Sequence, residues 1–293
     1  MTHLQDRIAI VTGAGGGLGR SHALLLARHG AKVVVNDLGP GAEQVAAEIV
    51  AAGGEAMASV GSVTDEAQVA AMVAATRERW GRVDILVNNA GILRDKSFAK
   101  MSLDDFRLVV DVHLMGAVIC TQAVWNLMRE QNYGRIVMTT SSSGLYGNFG
   151  QANYAAAKMA LVGLMQTLAL EGAKNNVRVN CLAPTALTQM TEGLMPEQTK
   201  HLLTPEAVSA GLLALVADDA PTRAILCAGA GHFERAHITL TPGQYIGNGP
   251  DAPERVIAEW NAIGDRSEES VPQGGNAQWM QELTAASRAR SDD

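Results

Sequence analysis

The sequence has 293 residues, of which 47% are hydrophobic, and it carries a formal net charge of −7. A chain of this length can bury one large core, and its acidic balance without a basic stripe argues against a nucleic-acid partner. No uninterrupted apolar run reaches the roughly eighteen residues that a bilayer crossing needs, so we expect no membrane partner.

The first predicted strand, residues 7–11, is followed directly by a glycine-rich turn and an apolar helix. Gly13, Gly17 and Gly19 let the backbone turn sharply and approach a pyrophosphate. The N-terminus of the next helix, beside Leu18, can hold that charge. The same cluster could form only a tight turn, but the flanking strand and helix favour a dinucleotide site.

The second apolar run, residues 32–36, ends at Asp37. A carboxylate at this place can accept hydrogen bonds from the adenosine ribose and repels a 2′-phosphate, so the sequence favours NAD over NADP. No lysine or arginine directly follows Asp37, which removes the usual partner of that phosphate. The alternative is an ordinary turn residue at the start of a loop.

Five further strand-like runs alternate with helical patterns. They cover residues 57–60, 83–88, 135–140, 177–182 and 224–228. This alternation predicts an α/β fold, with a doubly wound (Rossmann) parallel sheet in a single domain with a C-terminal extension. Right-handed crossovers bring the carboxyl ends of the strands, and the motifs that follow them, to one edge.

Tyr154 and Lys158 stand four residues apart in a helical pattern, and Ser141 precedes the tyrosine by thirteen residues. Residues four apart share one side of a helix, so the ammonium can lie near the phenol. A phenol ionises at a pKa of about 10, and a nearby cation would move this pKa toward neutrality, where a general base works best. The spacing alone is a weak signal; its weight comes from the glycine turn upstream.

Three motifs together resemble the short-chain dehydrogenase/reductase superfamily: T-G-x-x-x-G-x-G at Thr12 to Gly19, N-N-A-G at Asn88 to Gly91, and the spacing of Ser141, Tyr154 and Lys158. A closer likeness is to the (3R)-hydroxyacyl-CoA dehydrogenases of peroxisomal multifunctional β-oxidation enzymes and their free-standing bacterial relatives. It is carried by the stretches NNAGILRDKSFAKMS, GRIVMTTSSSGLYGNFGQANYAAAK and VVVNDLG. The likeness is good over about residues 5 to 231 and looser beyond.

The resemblance implies roles for four catalytic side chains. Tyr154 would be the general base, Ser141 would orient the reacting oxygen, and Lys158 would lower the pKa of the phenol and hold the nicotinamide ribose. His113 stands where the superfamily usually has an asparagine that helps seat a water on the lysine side of the proton relay. Its imidazole could carry the same hydrogen-bond chain or simply pack in the core.

The resemblance also implies the contacts of the cofactor, NAD. Ser62 replaces an aspartate that many relatives hold against the adenine, and Pro184 is followed by a threonine instead of the usual glycine. Thr188 would bind the nicotinamide carboxamide. The implied cofactor set is Gly13, Gly17, Leu18, Gly19, Asp37, Ser62, Val63, Asn89, Ala90, Gly91, Tyr154, Lys158, Pro184, Ala186, Leu187 and Thr188.

Four residues besides Ser141 are expected on the substrate side. Tyr146 and Phe149 would flank the reacting carbon. Met190 and Met195 would give a substrate lid an adaptable apolar face, although they could equally be helix core.

A small-molecule substrate is expected, either an acyl-CoA or a steroid-like compound. Coenzyme A is polyanionic, and Arg94, Lys96 and Lys100 are one candidate patch of positive charge for it. A solvated charged loop explains these residues as well.

The chain divides by sequence into a catalytic core, residues 1–231, and an extension, residues 232–293, that is not an independent domain. ERAHITLT can form one more strand, Pro253 can begin a helix, and a polar gap precedes a last short helix. The extension could cover the substrate site or a neighbouring subunit, and we expect a homodimer or homotetramer.

Cys120, Cys181 and Cys227 lie in apolar contexts without metal-ligand spacing, so we expect core residues in a reduced compartment and no metal site. No signal peptide opens the chain, and its last residues are no peroxisomal signal, which makes a cytoplasmic location the expectation.

The resemblance implies an enzyme that oxidises the 3-hydroxyl of a (3R)-hydroxyacyl-CoA to the 3-ketoacyl-CoA with NAD. A hydroxysteroid dehydrogenase of the 17β type is the alternative, because the same catalytic core serves free secondary alcohols. A non-catalytic NAD-sensing regulator is a third possibility, but it would not need the proton-transfer pair.

Overall fold

The computed structural model describes residues 4–188 and 197–291, and the chain divides into two compact units, Met1–Arg235 and Ala236–Asp293. The strands are β1 (Ile8–Thr12), β2 (Lys32–Asp37), β3 (Ala56–Val60), β4 (Ile85–Asn88), β5 (Gly134–Thr139), β6 (Val177–Thr185), β7 (Ile225–Gly229) and β8 (His232–Ala236). The helices are α1 (Gly17–Arg28), α2 (Gly41–Ala51), α3 (Glu66–Trp80), α4 (Leu103–Val110), α5 (Gly116–Glu130), α6 (Ser142–Tyr146), α7 (Ala152–Gly172), α8 (Pro205–Val216), α9 (Ala252–Ala258), α10 (Trp260–Ile263) and α11 (Asn276–Ser291).

The eight strands form one sheet in the order β3-β2-β1-β4-β5-β6-β7-β8. Strands β1 to β7 pair in parallel, with β1 between β2 and β4. This confirms the predicted doubly wound α/β fold, and all seven predicted strands are present. The carboxyl ends of β1 and β4 lie side by side where the strand order reverses, which is the usual ligand site of such sheets.

Strand β8 makes the sheet mixed. Ala230 and Gly231, the two residues between β7 and β8, have φ angles of +51° and +76°. Two positive φ angles are typical of a tight hairpin turn, so β8 runs antiparallel to β7. The sequence predicted an additional strand slightly later, at 234–241. The first unit ends at Arg235, inside β8, whereas the sequence placed the end of the core at residue 231.

The core lies on both faces of the parallel strands. Every residue of β1, β4 and β5 is buried, as expected for strands covered by helices on two sides. On one face α1 packs against α8, and on the other α7 packs against α4 and β6. Short apolar runs thus form the central strands, and the polar residues that follow them are left at the carboxyl edge.

A buried arginine holds the amino-terminal edge of the sheet together. Arg135, on β5, is 0% exposed, and its guanidinium lies 4.2 Å from the ring centroid of Tyr133. It donates hydrogen bonds of 2.8 to 3.0 Å to the carbonyl oxygens of Gly134, Asn176, Ala217 and Asp218. Because these carbonyls belong to three separate parts of the chain, one side chain joins β5 to the loops that precede β6 and follow α8.

The helical stretch Leu103–Glu130 is long and apolar enough to cross a bilayer by length and composition. The stretch is not a continuous apolar run, because the polar residues Asp111 and His113 lie within it. Its packing is that of a core helix, since Val109 and Val124 are fully buried and its two halves contact α7 and β4. Core helices often pass the same test, so the stretch is weak evidence for a membrane span.

The second unit is built from loops and three helices. Pro253 lies in the first turn of α9, as the sequence predicted. The Thr241 hydroxyl donates to the carbonyl oxygen of Ile263 (2.8 Å), and Gln281 on α11 donates to the carbonyl oxygen of Thr241 (2.9 Å). These hydrogen bonds tie the loop after β8 to α10 and α11.

Replacement of Arg135 by alanine should lower the free energy of unfolding by about 3 kcal/mol or more, because it leaves buried carbonyl oxygens without donors and opens a cavity. Urea denaturation measures this loss. The control is Arg77→Ala on the exposed side of α3, which should change stability by less than about 0.5 kcal/mol. Equal effects of the two substitutions would contradict the role of Arg135.

Candidate active site

Two turns meet at the carboxyl edge of the sheet, one after β1 and one after β4. The Thr12 hydroxyl accepts hydrogen bonds from the backbone N–H groups of Asn89 (3.0 Å) and Ala90 (3.1 Å). The Asn89 side chain donates in return to the carbonyl oxygens of Thr12 (3.0 Å) and Gly13 (3.1 Å). Gly13 has φ +62°, and a Cβ there would lie 2.7 Å from Ala90 Cα, so a side chain does not fit. These hydrogen bonds and the close backbone contact hold the two turns together as one unit.

Helix α1 begins directly behind this unit. No side chain of the described residues caps its N-terminus at Gly16, so the first backbone N–H groups remain available to an anion. Nothing lies within 4 Å of the place where a Cβ of Gly16 would be. The backbone of this turn is therefore open to close approach by a pyrophosphate, as the glycine pattern predicts.

Asp37 lies at the end of β2, beside the same turn. One of its carboxylate oxygens accepts a hydrogen bond from the Gly15 N–H (2.9 Å), and the other accepts a longer one from the Gly39 N–H (3.4 Å). These bonds orient the carboxylate on the cavity wall. The following residue, Leu38, is 71% exposed, and it supplies no positive charge for a 2′-phosphate.

A cavity of about 710 Å³ runs along this edge, within the usual range for small-molecule sites. Its wall combines the open glycine turn, the Asp37 carboxylate and the side chains predicted to be catalytic, so the residues present fit a dinucleotide. The predicted residues that line it are Gly13, Gly17, Leu18, Gly19, Asp37, Ser62, Val63, Asn89, Ala90, Gly91, His113, Ser141, Tyr154, Lys158, Pro184, Ala186 and Thr188.

The other predicted residues lie elsewhere. Leu187 is not on the cavity wall, and its N–H donates to the Leu203 carbonyl oxygen (2.6 Å). Tyr146 and Phe149 are 73% and 89% exposed and do not line the cavity either. Met190 and Met195 lie outside the described residues.

Ser141, Tyr154 and Lys158 meet where β5 ends and α7 begins. Ser141 is the N-cap of α6, and its hydroxyl is close enough to the Tyr154 phenol to act against the rise of the phenol's pKa. Lys158 is buried one helical turn after Tyr154; its ammonium donates to the Thr139 carbonyl oxygen (2.5 Å) and lies 5.5 Å from the Tyr154 ring centroid. The structure therefore brings the three predicted catalytic residues together.

Burial governs the protonation of this group. It raises the pKa of Tyr154 above its ordinary value, with the Ser141 hydrogen bond opposing the rise and the Asp95 carboxylate adding to it. Burial also lowers the pKa of Lys158 to about 7. The sequence predicted that Lys158 lowers the pKa of Tyr154, but this pKa is raised. Burial penalises the charged forms of both residues, and the Lys158 ammonium is bound to the Thr139 carbonyl oxygen.

His113 is buried beside the tyrosine. It lies in a π-helical turn, Asp111–Met115, a feature often found at functional sites. Its ring meets the Tyr154 ring edge to face, with centroids 5.1 Å apart, and its Nε2 lies 3.0 Å from the Ile92 nitrogen and 2.8 Å from the Ile92 oxygen. Burial lowers the pKa of His113 to about 3, so the imidazole is neutral. A Cβ on Gly91 would overlap this ring.

A second, small cavity of about 10 Å³ has Asn88, His113 and Lys158 in its wall. This is about the volume that a single water occupies. Two buried atoms of these residues, Asn88 Oδ1 and His113 Nδ1, have no hydrogen-bond partner among the described residues. The location fits a bound water on the lysine side, as the resemblance implied.

Gln151 and Asp95 belong to this site, although no sequence pattern singled them out. Gln151 is buried on the cavity wall, and its amide donates to the Asp95 carboxylate (2.7 Å). They are 56 residues apart in the chain, so no local spacing indicates the contact.

No group of three histidine, cysteine, aspartate or glutamate side chains placed to hold a metal ion occurs among the described residues. Cys120 and Cys181 are buried free thiols, and Cys227 is partly exposed.

Comparisons with known proteins agree with this geometry. Residues 7–199 match the family model of the short chain dehydrogenases. The chain is 48% identical over 286 residues to the peroxisomal multifunctional enzyme type 2 of Drosophila melanogaster, an alignment that covers 89% of this chain and 46% of that enzyme. The solved structure of the full-length fly enzyme superposes with a TM-score of 0.82 at 41% identity, covering 96% of this chain and 49% of the other.

Two further similarities involve chains of comparable length. A short-chain type dehydrogenase/reductase of Mycobacterium tuberculosis is 44% identical, with 91% of this chain and 97% of the relative covered. The structure of a 7α-hydroxysteroid dehydrogenase complexed with NADH and 7-oxo glycochenodeoxycholic acid superposes with a TM-score of 0.73 at 30% identity, covering 78% of this chain and 95% of the other.

The burial of Lys158 should be visible in stability measurements. Its pKa in the folded protein, about 7, lies below the ordinary 10.5, so between these pH values the unfolded chain binds more protons and stability rises with pH. Relative to Lys158→Met, the free energy of unfolding should increase by up to about 1.4 kcal/mol per pH unit in this window. Urea denaturation from pH 7.5 to 9.5 measures how the free energy of unfolding changes with pH. The exposed control Lys174→Met should keep the wild-type slope. A Lys158→Met slope equal to that of wild type would refute the lowered pKa of Lys158.

Proposed function

The chain belongs to the short chain dehydrogenase family of oxidoreductases, and on this premise we propose that it oxidises the 3-hydroxyl of a (3R)-hydroxyacyl-CoA to the 3-ketoacyl-CoA with NAD. One observation carries the proposal. Ser141, Tyr154 and Lys158 lie together on the wall of a cavity that also holds the glycine turn and Asp37.

The names of relatives support the substrate class. The fly relative is a peroxisomal multifunctional enzyme, and this chain spans 46% of its length. The sequence stretches around the NNAG turn and Tyr154 are also those that resemble (3R)-hydroxyacyl-CoA dehydrogenases. The chain would thus perform the dehydrogenase step, and any further activity of a multifunctional enzyme would need another domain.

Each of the three side chains has its own role in the proposed reaction. Ser141 donates a hydrogen bond to the oxygen of the substrate hydroxyl and orients it. Tyr154 accepts the hydroxyl proton while the carbinol carbon loses a hydride, so the C–O bond becomes a carbonyl. When bound, NAD supplies the hydride acceptor at its nicotinamide. Lys158 lies 5.5 Å from the Tyr154 ring centroid and, when it is charged, stabilises the phenolate.

Asp37 supports NAD as the cofactor. Its carboxylate is held on the cavity wall by backbone N–H groups, which leaves oxygen lone pairs for ribose hydroxyls. A 2′-phosphate at the same place would meet this negative charge. The 7α-hydroxysteroid dehydrogenase, whose structure contains NADH, adds a precedent for a nicotinamide cofactor on this fold.

A hydroxysteroid dehydrogenase is the second candidate. It is favoured by the superposition on an enzyme bound to a bile-acid derivative, and by the pairing of Arg94 and Lys96 with Asp105 at 3.9 and 3.7 Å. This pairing reduces the positive charge that a CoA phosphate would meet. NADH formation with a panel of (3R)-hydroxyacyl-CoAs beside free hydroxysteroids distinguishes the two. Turnover of the steroids alone would reject the first proposal.

Tyr154→Phe should lower the turnover number at least ~100-fold with little change in NAD affinity, because it deletes the base and keeps the shape of the site. Steady-state kinetics and NAD titration by fluorescence measure the two quantities. Tyr245→Phe, in the second unit, is the matched control. A Tyr154→Phe enzyme with the wild-type turnover would disprove the assignment.

Asp37→Ala should narrow the preference for NAD over NADP roughly 10-fold or more, since it removes a charged acceptor for the ribose and a repulsive charge for the phosphate. The ratio of kcat/KM for the two cofactors measures the preference. The exposed Asp219→Ala should leave it unchanged. An unaltered ratio in Asp37→Ala would show that the ribose is recognised elsewhere.

A further inference from the structure

The Gln151 side chain is held by three hydrogen bonds. Its Nε2 donates to Asp95 Oδ2 (2.7 Å), which fixes the orientation of the amide because a carboxylate can only accept. Its Oε1 accepts from the Ser143 hydroxyl (2.8 Å) and from the Asn148 amide (3.1 Å). A buried amide with these partners keeps one position.

Gln151 connects this network to the catalytic residues in two directions. Its partner Ser143 donates its backbone N–H to the Ser141 hydroxyl oxygen (3.2 Å), which directs that hydroxyl. The Gln151 carbonyl oxygen accepts the Ala155 N–H (2.7 Å) and so begins the first turn of α7, which carries Tyr154. The second contact belongs to the backbone, so the Gln151 side chain acts on the catalytic residues through Ser143 and Ser141.

Asp95 lies on a segment that is fastened to the start of α7. The Lys96 N–H donates to the Gly150 carbonyl oxygen (2.9 Å), and the buried Asn153 side chain donates to the Arg94 carbonyl oxygen (3.1 Å). The same segment continues from the NNAG turn on the cofactor side of the cavity. The contact of Asp95 with Gln151 thus joins the cofactor turn to the proton-transfer helix.

Among the described residues, three titratable groups lie around Tyr154 on the elements packed against it. Lys158 faces it from α7, at 5.5 Å from the ring centroid. His113 faces it from the π-helical turn and is neutral, since burial lowers its pKa to about 3. The Asp95 carboxylate, on the segment after β4, is held 2.7 Å from the Gln151 amide three residues before Tyr154, and its negative charge raises the pKa of the phenol.

The two cationic side chains next to Asp95 in the sequence pair with a different carboxylate. Arg94 Nε and Lys96 Nζ lie 3.9 and 3.7 Å from the carboxylate of Asp105 on α4. The negative charge that acts on Tyr154 therefore comes from Asp95, with its hydrogen bond to the neutral Gln151 amide.

We propose that Gln151 and Asp95 are positioning residues for proton transfer. The Gln151 side chain holds Ser141 in place through Ser143, and Asp95 sets the charge that decides when Tyr154 can act as a base. The inference deepens the proposed function and rests on it in one respect, that Tyr154 exchanges the substrate proton.

The charge is tested by Asp95→Asn, which keeps an acceptor for the Gln151 amide and removes the carboxylate. The phenolate then forms at lower pH, so the acid limb of the kcat profile for alcohol oxidation moves to lower pH. On that limb, kcat should rise at least ~3-fold relative to its plateau. The exposed Asp104→Asn on α4 is the matched control and leaves the profile in place.

The positioning role is tested by a swap. Gln151→Glu alone places two carboxylates against each other and should lower the plateau kcat about 10-fold or more at unchanged KM for NAD. In the double variant Asp95→Asn with Gln151→Glu, the Asn amide donates to the Glu carboxylate, which still accepts from Ser143 and Asn148. The plateau kcat should return to within ~3-fold of wild type.

A readout without substrate separates this inference from the proposed function. Tyrosinate absorbance is titrated in each protein and in its Tyr154→Phe counterpart, and the difference reports Tyr154 alone. The titration moves to lower pH in Asp95→Asn even if no hydroxyacyl-CoA is turned over, in which case only the proposed substrate fails. A Tyr154 titration that stays in place overturns the role of Asp95. A Gln151→Glu enzyme that is as active as the double variant overturns the role of Gln151.

Discussion

The close contact between the turns after β1 and β4 is the constraint on which the site depends. Thr12 accepts two backbone N–H groups of the second turn, and Gly13 lies too near Ala90 to carry a side chain. This contact sets the floor of the cofactor cavity. It also fixes the start of the segment that runs on through Gly91, which packs on His113, to Asp95. The catalytic helix is then positioned from the cofactor side as well as from its own strand.

Burial fixes the positions of the predicted catalytic side chains, but it disfavours their charged forms. Hydrogen bonds to backbone carbonyls, as for Lys158 at Thr139, hold the side chains with little freedom. The same enclosure favours the neutral forms of Tyr154, Lys158 and His113. Each charge that remains in such a site changes the pKa values of its neighbours strongly. A single carboxylate such as Asp95 can therefore affect when Tyr154 ionises.

Much of this arrangement could be predicted from the sequence because it is local. The glycine turn, the carboxylate that ends β2 and the four-residue spacing of Tyr154 and Lys158 are all set by neighbouring residues. The contact between Asp95 and Gln151 could not be found in this way, because it joins distant segments. Phe149 lies between Ser141 and Tyr154 in the sequence, and the turn between α6 and α7, with Gly147 at φ +80°, leaves it exposed; its contact with a substrate stays a prediction. The direction of the Tyr154 pKa shift depends on burial, which spacing does not reveal.

The hairpin of β7 and β8 has a consequence for the fate of the protein at high concentration. A sheet that ended at β7 would present a largely apolar strand with free backbone groups, a template for pairing with other chains. Strand β8 covers it with the exposed residues His232, Phe233, Glu234 and Arg235, of which His232 and Glu234 pair at 3.0 Å. Charged, short border strands disfavour intermolecular strand addition. The hairpin therefore disfavours the addition of another strand at this edge of the sheet.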